Sequence, residues 1–270
     1  LQFPCHSSAK RNHVPHNTIR GTLEMSKPRL SVILCTYNRA DSLRATLICL
    51  SRLVVPRSIP WELIVVDNNS SDHTKDIVEG MKTMIPSLSY EFESRQGLSN
   101  ARNHGLSVAR GDIILFTDDD VCPDPDWAAT LVDHIDRTGC DAAGGFVAPA
   151  WETPPPTWFT ERFYGYLAVH TSDRNVETEV TDVQQAPYGA NMAFRKSVFN
   201  KLGFFDSDLG RKGNVLAGGE EWDMFERMFN NGMRVMFFPD SRVHHRIESA
   251  RLTKRYLYRW RYQDSRTIAE

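Results

Sequence analysis

Three consecutive carboxylates, Asp118, Asp119 and Asp120, close a run that otherwise reads as a buried strand, Gly111-Asp-Ile-Ile-Leu-Phe-Thr117. Acids crowded at a strand end repel one another, and a divalent cation relieves that repulsion. Hard oxygen ligands in this number suit Mg²⁺ or Mn²⁺, which proteins hold through one or two carboxylates while substrate phosphates complete the coordination. The other open reading is an acidic turn capping the next segment, since Asp126-Trp-Ala-Ala-Thr-Leu-Val opens like a helix. A second acidic set, Glu220, Glu221 and Asp223, sits at the start of a helical pattern. It offers either a base that takes a proton or a complement to the positive end of a helix.

Positioning such groups requires a frame, and the chain has the length for one. Its 270 residues suffice for one large α/β domain or two small ones, and 41% apolar residues fit a globular protein. A formal net charge of −2 advertises no nucleic-acid partner. No apolar run approaches the ~20 residues that span a bilayer. Cys5, Cys35, Cys49, Cys122 and Cys140 are odd in number and lack C-x-x-C spacing. That pattern argues against structural zinc and a disulfide framework, and for a reducing, cytoplasmic setting with Cys35 and Cys49 as small core residues. Residues 1–27 show no sustained periodicity and are expected to be a disordered or vector-derived leader.

From Arg29 the pattern becomes regular. Leu30–Cys35 and Trp61–Val66 read as strands buried on both faces, each followed by a polar loop and a helix, the first capped by Asp41 or Ser42 and the second running from Thr74 to Met84. A third strand near 88–94 leads to a helix through Gly97–Ala109, and a fourth, Ile113–Thr117, ends at the acids. Strands alternating with helices imply a mainly parallel, Rossmann-like sheet with ligands outside the carboxyl ends of the strands. Thr36-Tyr37-Asn38, Asp67-Asn68-Asn69, Asn100 to Asn103 and the acid triplet would all line that crevice. Beyond Ala143, Pro149 and Pro154 to Pro156 are expected to break regular structure. Trp151, Trp158, Phe159, Phe163, Tyr164 and Tyr166 supply either core or an acceptor platform. Gly210–Gly219 is expected to be mobile, a helix follows over 220–230, and 234–238 is the last clear strand.

In that order, Ser31-Val-Ile-Leu-Cys-Thr-Tyr-Asn38, Ile64-Val-Val-Asp-Asn-Asn-Ser-Ser-Asp72, Gly97-Leu-Ser-Asn-Ala-Arg-Asn103, Asp118-Asp-Asp120, Gly189-Ala-Asn-Met192 and Gly219-Glu-Glu-Trp-Asp223 resemble family 2 glycosyltransferases. The resemblance implies a GT-A fold with a smaller acceptor-side subregion: a nucleotide-sugar half over 28–145, an acceptor-binding and catalytic half over 146–245, and a basic helical segment over 246–270. It implies a metal-dependent, inverting transfer from a nucleotide-diphosphate sugar, UDP-linked by family habit, to a hydroxyl of a glycan, polysaccharide or lipid-linked acceptor.

The same resemblance distributes roles. Tyr37 and Asp67 fall around the nucleotide base with Thr36, Asn38 and Asn69 nearby, and Arg102, Asp118 and Asp119 fall toward the ribose and phosphates. Asp67 also fits an Asx turn. Asp120, Asp118 and His245 are the metal candidates, the cation being Mn²⁺ or Mg²⁺; a cationic His245 would instead meet phosphate. Glu221 is the implied base, with Glu220 beside it and Asp223 as the substitute. Asn191 faces donor or acceptor, or serves its own turn. The segment 242–266 interleaves Lys and Arg with Tyr256, Tyr258, Trp260 and Tyr262. It suits either peripheral contact with the inner face of a membrane or a solvated helix whose aromatics pack inward. The competing functions are a sugar-phosphate nucleotidyltransferase, which would carry a glycine-rich loop where Thr36-Tyr-Asn-Arg39 has none, and a non-catalytic nucleotide-sugar-binding protein, which has no need of a base.

Overall fold

The structure, a computed structural model, describes residues 27–213 and 218–267, the side chains of 263–267 excepted. Residues 1–26 of the expected leader, and 214–217 within the segment expected to be mobile, lie outside the described residues. The elements run β1 (Leu30–Thr36), α1 (Ala40–Leu50), β2 (Trp61–Asp67), α2 (Thr74–Met81), β3 (Leu88–Phe92), α3 (Leu98–Val108), β4 (Ile113–Asp118), β5 (Val121–Pro123), α4 (Trp127–Thr138), β6 (Ala142–Trp151), β7 (Thr178–Val180), β8 (Met192–Arg195), α5 (Lys196–Leu202), α6 (Glu220–Asn230), β9 (Val235–Ile247) and α7 (Lys254–Thr267).

One sheet carries all nine strands in the order β3-β2-β1-β4-β8-β6-β9-β5, with β7 also paired to β9. The first four are parallel, β8 runs against both neighbours, and β6 and β9 form a second parallel pair. Because alternate side chains leave opposite faces, Val32 and Leu34 join Leu43, Leu47 and Leu131 in one core layer. Ile33, Ile64 and Phe116 join Ala101, Met224 and Phe225 in the other. Helices α1, α2 and α4 thus cover one face while α3, α5 and α6 cover the opposite one, as strands apolar on both faces require. The strand register sets Thr36 beside Asp67 and Cys35 beside Asp118, so the polar loops share one edge.

Four local expectations are corrected. Helix α1 begins at Ala40, and neither Asp41 nor Ser42 caps it; Asp72, from the loop after β2, accepts the Ala40 N–H at 3.0 Å. Helix α2 ends at Met81, short of Met84. Pro149 does not break regular structure but lies within β6, because beyond Gly144 that strand pairs only with β9; Pro154 to Pro156 do fall in irregular chain, after β6 ends at Trp151. Strand β9 runs to Ile247, well past 238, and carries His244 and His245 into the sheet.

The cysteine reading is corrected as well. Cys49, at the end of α1, is bonded to Cys122 in β5, with Cα atoms 5.4 Å apart and 73 residues between them in sequence. Cys49 is therefore not a free core thiol, and the cysteine pattern carries no argument for a reducing compartment. Closing a loop of that length removes roughly 4 kcal/mol of unfolded-state entropy in the chain-entropy account. Reducing the bridge, or replacing it in C49A/C122A, is accordingly expected to lower Tm by roughly 10 °C, read by differential scanning fluorimetry with and without reductant. An unchanged Tm would show that the bridge contributes nothing to stability.

Candidate active site

Two loops make the floor of the crevice. After β1, Asn38 takes a left-handed conformation (φ +50°), as does Asn69 after β2 (φ +66°), the region that Asn tolerates better than most residues. The Asn38 N–H donates to Ser70 Oγ, and Asn38 Oδ1 accepts from the Ser71 N–H, so the loops are sewn together. Asp67 is buried at the end of β2, accepting from the Ser70 N–H (2.9 Å) and the Tyr90 hydroxyl (2.8 Å). It therefore makes the Asx turn and keeps lone pairs for a further donor. Tyr37 stands half-buried between these loops, and Asn38 and Asn69 are exposed.

The acid triplet divides by direction. Asp118 is half-buried at the end of β4. Burial raises its pKa, the Asp120 charge adds to this, and Arg102 opposes it. Asp119 turns inward to accept from Thr36 Oγ1 and Arg39, both at 2.7 Å, and burial pushes it up to about 7 despite Arg39. Asp120 is buried too. Burial acts to raise its pKa, but His245 at 3.2 Å, Arg39 at 3.0 Å and Arg251 at 3.5 Å hold it well below the ordinary carboxylate range.

His245 reaches Asp120 because β5 pairs with β9. Val121 registers with His245, and the Arg246 N–H donates to the Asp120 carbonyl at 2.8 Å. His244 leaves the opposite face and binds Asp124, as alternation along a strand demands. Arg246 donates to Thr46 Oγ1 and to the carbonyl oxygens of Ser42 and Asp119, tying α1 to the triplet. Arg39, Arg246 and Arg251 escaped the sequence reading. Their signal was position: Arg39 lies three residues past Thr36, Arg246 directly follows His245, and Arg251 comes six residues after it.

Helix α3 organises the opposite wall. Ser99 Oγ donates to the Leu209 carbonyl, while the Asn103 side chain both donates to the Phe205 carbonyl and accepts from the Phe205 N–H. Arg102, 2% exposed, donates to Glu220 at 2.8 Å and to Glu221 at 3.0 Å, and its guanidinium lies 5.7 Å from the Phe116 ring and 5.6 Å from that of Phe205. Gly189 packs so closely that a Cβ there would overlap Arg102 and Glu221. Within the acidic set, Glu220 is enclosed, with Oε2 lacking a partner among the described residues, and burial with the neighbouring Glu221 charge pushes it up to about 7. It cannot meet an acceptor directly, which corrects its place as a catalytic candidate. Glu221 keeps its side chain 23% exposed, whereas Asp223 is committed to Arg227 one turn on.

Asn191 is also corrected. It is fully buried, accepts from Trp127 Nε1 at 2.8 Å, and donates to the Phe146 and Ser241 carbonyls. Its amide braces β6, α4 and β9 beneath the crevice rather than facing it.

A divalent cation fits these residues in part. Asp118 and Asp120 are suitable donors, and His245 meets Asp120 through Nε2 at 3.2 Å. Among the described residues no three His, Cys, Asp or Glu side chains converge closely enough to hold a cation by themselves. The remaining positions would come from a ligand, as is usual for Mg²⁺ with phosphates.

The family 2 glycosyl transferase profile matches residues 31–203. That is more than half of the chain, which belongs to that family. It is similar to a glucosyl-dolichyl phosphate glucuronosyltransferase of Haloferax volcanii, 28% identical over 81% of this chain and 69% of that one. It is also similar to the succinoglycan biosynthesis protein ExoM of Rhizobium meliloti, 28% identical over 88% and 73% respectively. Among solved structures, the Pyrobaculum calidifontis mannosyltransferase PcManGT, in complex with GDP-Man and Mn²⁺, superposes with a TM-score of 0.64 at 24% identity. That match covers 90% of this chain and 62% of the other. TarS of S. aureus with UDP-GlcNAc gives 0.62 at 20% identity, covering 81% and 58%. The chain thus spans about three fifths of the solved neighbours. Its fold is GT-A, and it is a family 2 glycosyltransferase.

Two consequences are measurable. Replacing Asn191 by Ala strands three buried partners and is expected to cost roughly 2–4 kcal/mol of stability, seen in chemical denaturation, while nucleotide affinity of the folded protein stays unchanged; a selective loss of nucleotide affinity would return Asn191 to the crevice. Because Glu220 titrates near 7 in the folded chain and about 4.5 when unfolded, the folded state binds the extra proton between these values. Its contribution is full below pH 4.5 and is lost as pH rises through 7. Glu220→Gln removes that loss, so the Tm of the variant relative to the parent is expected to climb from pH 4.5 to 7 and then level off. A pH-independent difference would contradict the assignment.

Proposed function

We propose that this chain moves a sugar from a nucleotide-diphosphate donor to an acceptor hydroxyl by a single displacement with inversion. The observation that carries this reading is electrostatic and spatial. Asp120 meets His245 on one side, Arg102 donates to Glu221 on the other, and Asp118 lies near enough to all four for their charges to bear on its carboxyl, so the triplet and the α6 carboxylate are neighbours despite a hundred residues between them. A base and a leaving-group site on the same crevice are what a one-step transfer requires.

Residues 28–145 bind the donor, with Tyr37 and Asp67 at the base and Asp118 toward the ribose and phosphates; Arg102, expected there too, is enclosed and instead holds Glu220 and Glu221. Residues 146–245 face the acceptor. UDP is the first donor to try, and GDP and dTDP follow. GDP-Man in the Pyrobaculum structure and UDP-GlcNAc in TarS support a nucleotide sugar without selecting the base. Asp120, Asp118 and His245 would hold Mn²⁺ or Mg²⁺, which neutralises charge on a departing diphosphate. Mn²⁺ accompanies the nucleotide sugar in the Pyrobaculum complex. Arg102 holds Glu221 by one oxygen and leaves the other to take the acceptor proton. The acceptor is a glycan or a lipid-linked glycan, a class to which the name of the Haloferax relative points.

The test is a panel of nucleotide sugars with Mn²⁺ or Mg²⁺. Asp120→Ala is expected to abolish cation-dependent donor binding. Glu221→Gln is expected to keep donor binding and lose ~10²–10⁴ in transfer rate, the usual worth of a general base. Asp223→Asn, which alters only a helix-surface ion pair, is expected to retain both. Equal donor affinity with and without cation would overturn the reading.

A further inference from the structure

The segment after β9 leaves the reaction crevice and immediately becomes a basic, aromatic helix. Leu252 is buried, and Arg251 donates to the Tyr256 hydroxyl while its other nitrogen approaches Asp120 and His245. Helix α7 therefore starts at the rim of the site. Its inner side is settled by contacts. Tyr256 and Leu257 pack on the core, the Trp260 ring meets Tyr166 edge-on at 5.0 Å, Arg261 donates to the Tyr166 hydroxyl, and Lys254 lies 5.6 Å from the Trp158 ring. Aromatics were expected to be either inward or membrane-facing; the helix divides them between the two sides.

The outer side is the unusual one. Tyr258 is 76% exposed and Tyr262 is 61% exposed, although large aromatic rings ordinarily seek cover. Arg255 and Arg259 are exposed at the intervening helical spacing, so 255, 258, 259 and 262 form one stripe of alternating guanidinium and phenol. From Arg251 to Tyr262 the sequence holds five cations and no acid, in a chain whose formal net charge is −2. No helix among the described residues is long and apolar enough to cross a membrane.

We propose that the outer face of α7 docks on the surface of an anionic phospholipid bilayer, lying in the headgroup plane. A phenol ring with an apolar body and a polar tip suits the boundary between headgroups and acyl chains. Arginine stems can lie along that boundary while their charges reach lipid phosphates. Charge complementarity selects the occupant: the exposed guanidinium groups of the stripe match a negative leaflet, and the phenols distinguish an interface from a purely ionic partner. Docking in this pose brings the crevice rim, through Arg251 and Tyr256, to the level of the headgroups. The docking itself does not depend on the transferase reading; only the further step, access to a lipid-linked acceptor, rests on it.

The experiment is co-sedimentation of the full chain with vesicles of 30% phosphatidylglycerol in phosphatidylcholine, against pure phosphatidylcholine, at 0.1 and 0.5 M salt. Binding to the anionic vesicles alone, released by salt, is expected. R255E/R259E is expected to lower the partition coefficient by at least about tenfold. Y258S/Y262S is expected to lower it while leaving the salt dependence in place. Circular dichroism and hydrolysis of the donor in solution verify that both variants are folded. The proposal is overturned by equal binding to neutral vesicles, by no binding at all, or by full binding in both variants. Concentration-dependent dimers that the same variants dissolve would assign the face to a second copy and also overturn it. Vesicle binding without transfer to any acceptor would sink the transferase reading and leave the docking intact.

Discussion

A guanidinium sealed inside the protein is the constraint around which the site is arranged. Arg102 is 2% exposed, and a cation so placed must be paired or it destabilises the fold by several kcal/mol. Its partners are Glu220 and Glu221, the first two residues of α6, and its flanks are the rings of Phe116 from β4 and Phe205 from the loop before α6. Through this one side chain the helix after β3 fixes the start of a helix more than a hundred residues later. Asn103 repeats the connection at the backbone of Phe205, and Ser99 at Leu209. The Gly97–Asn103 segment is therefore less a ligand-contacting motif than a clamp on the loop that delivers Glu221.

Charge balance on the other wall follows the same logic in reverse. Asp119 and Asp120 are buried acids surrounded by Arg39, His245 and Arg251, with Arg246 bonded to the backbone between them. The chain's own cations satisfy the two inner carboxylates, leaving Asp118 as the member whose burial and neighbouring Asp120 disfavour its charge. The triplet is thus graded: Asp119 is committed to Thr36 and Arg39, Asp120 shares Arg39, His245 and Arg251, and Asp118 is the member whose charge is disfavoured.

Much of this was legible in the chain. The parallel β1–β4 unit followed from apolar runs and polar loops, and the opposed directions of His244 and His245 followed from strand alternation. What escaped was whatever depends on a partner far away in sequence. Asp72 caps α1 from another loop, and Cys49 finds Cys122 across 73 residues. Pro149 sits in a strand because one side of β6 lacks a neighbour. Asn191 resembles a ligand residue by motif, yet three buried groups consume its amide. No local pattern distinguishes a polar side chain that faces a crevice from one that braces its floor; only the inventory of donors and acceptors does.

Glu220 and Glu221 illustrate the point at single-residue scale. They are adjacent and chemically identical, and both bind Arg102, so composition and position treat them alike. On a helix, however, successive residues point about 100° apart. That rotation sends Glu220 beneath the loop at Gly210, where a Cβ would lie 3.1 Å from its free oxygen, and leaves Glu221 at the lip. Burial then raises the carboxyl of Glu220 toward neutrality. Both acids ionised beside a single guanidinium would leave one charge uncompensated, and the enclosed one is the cheaper to neutralise. Proton uptake by Glu220 thereby leaves Arg102 to pair with Glu221, so the acid that cannot reach an acceptor yields the guanidinium to the one that can.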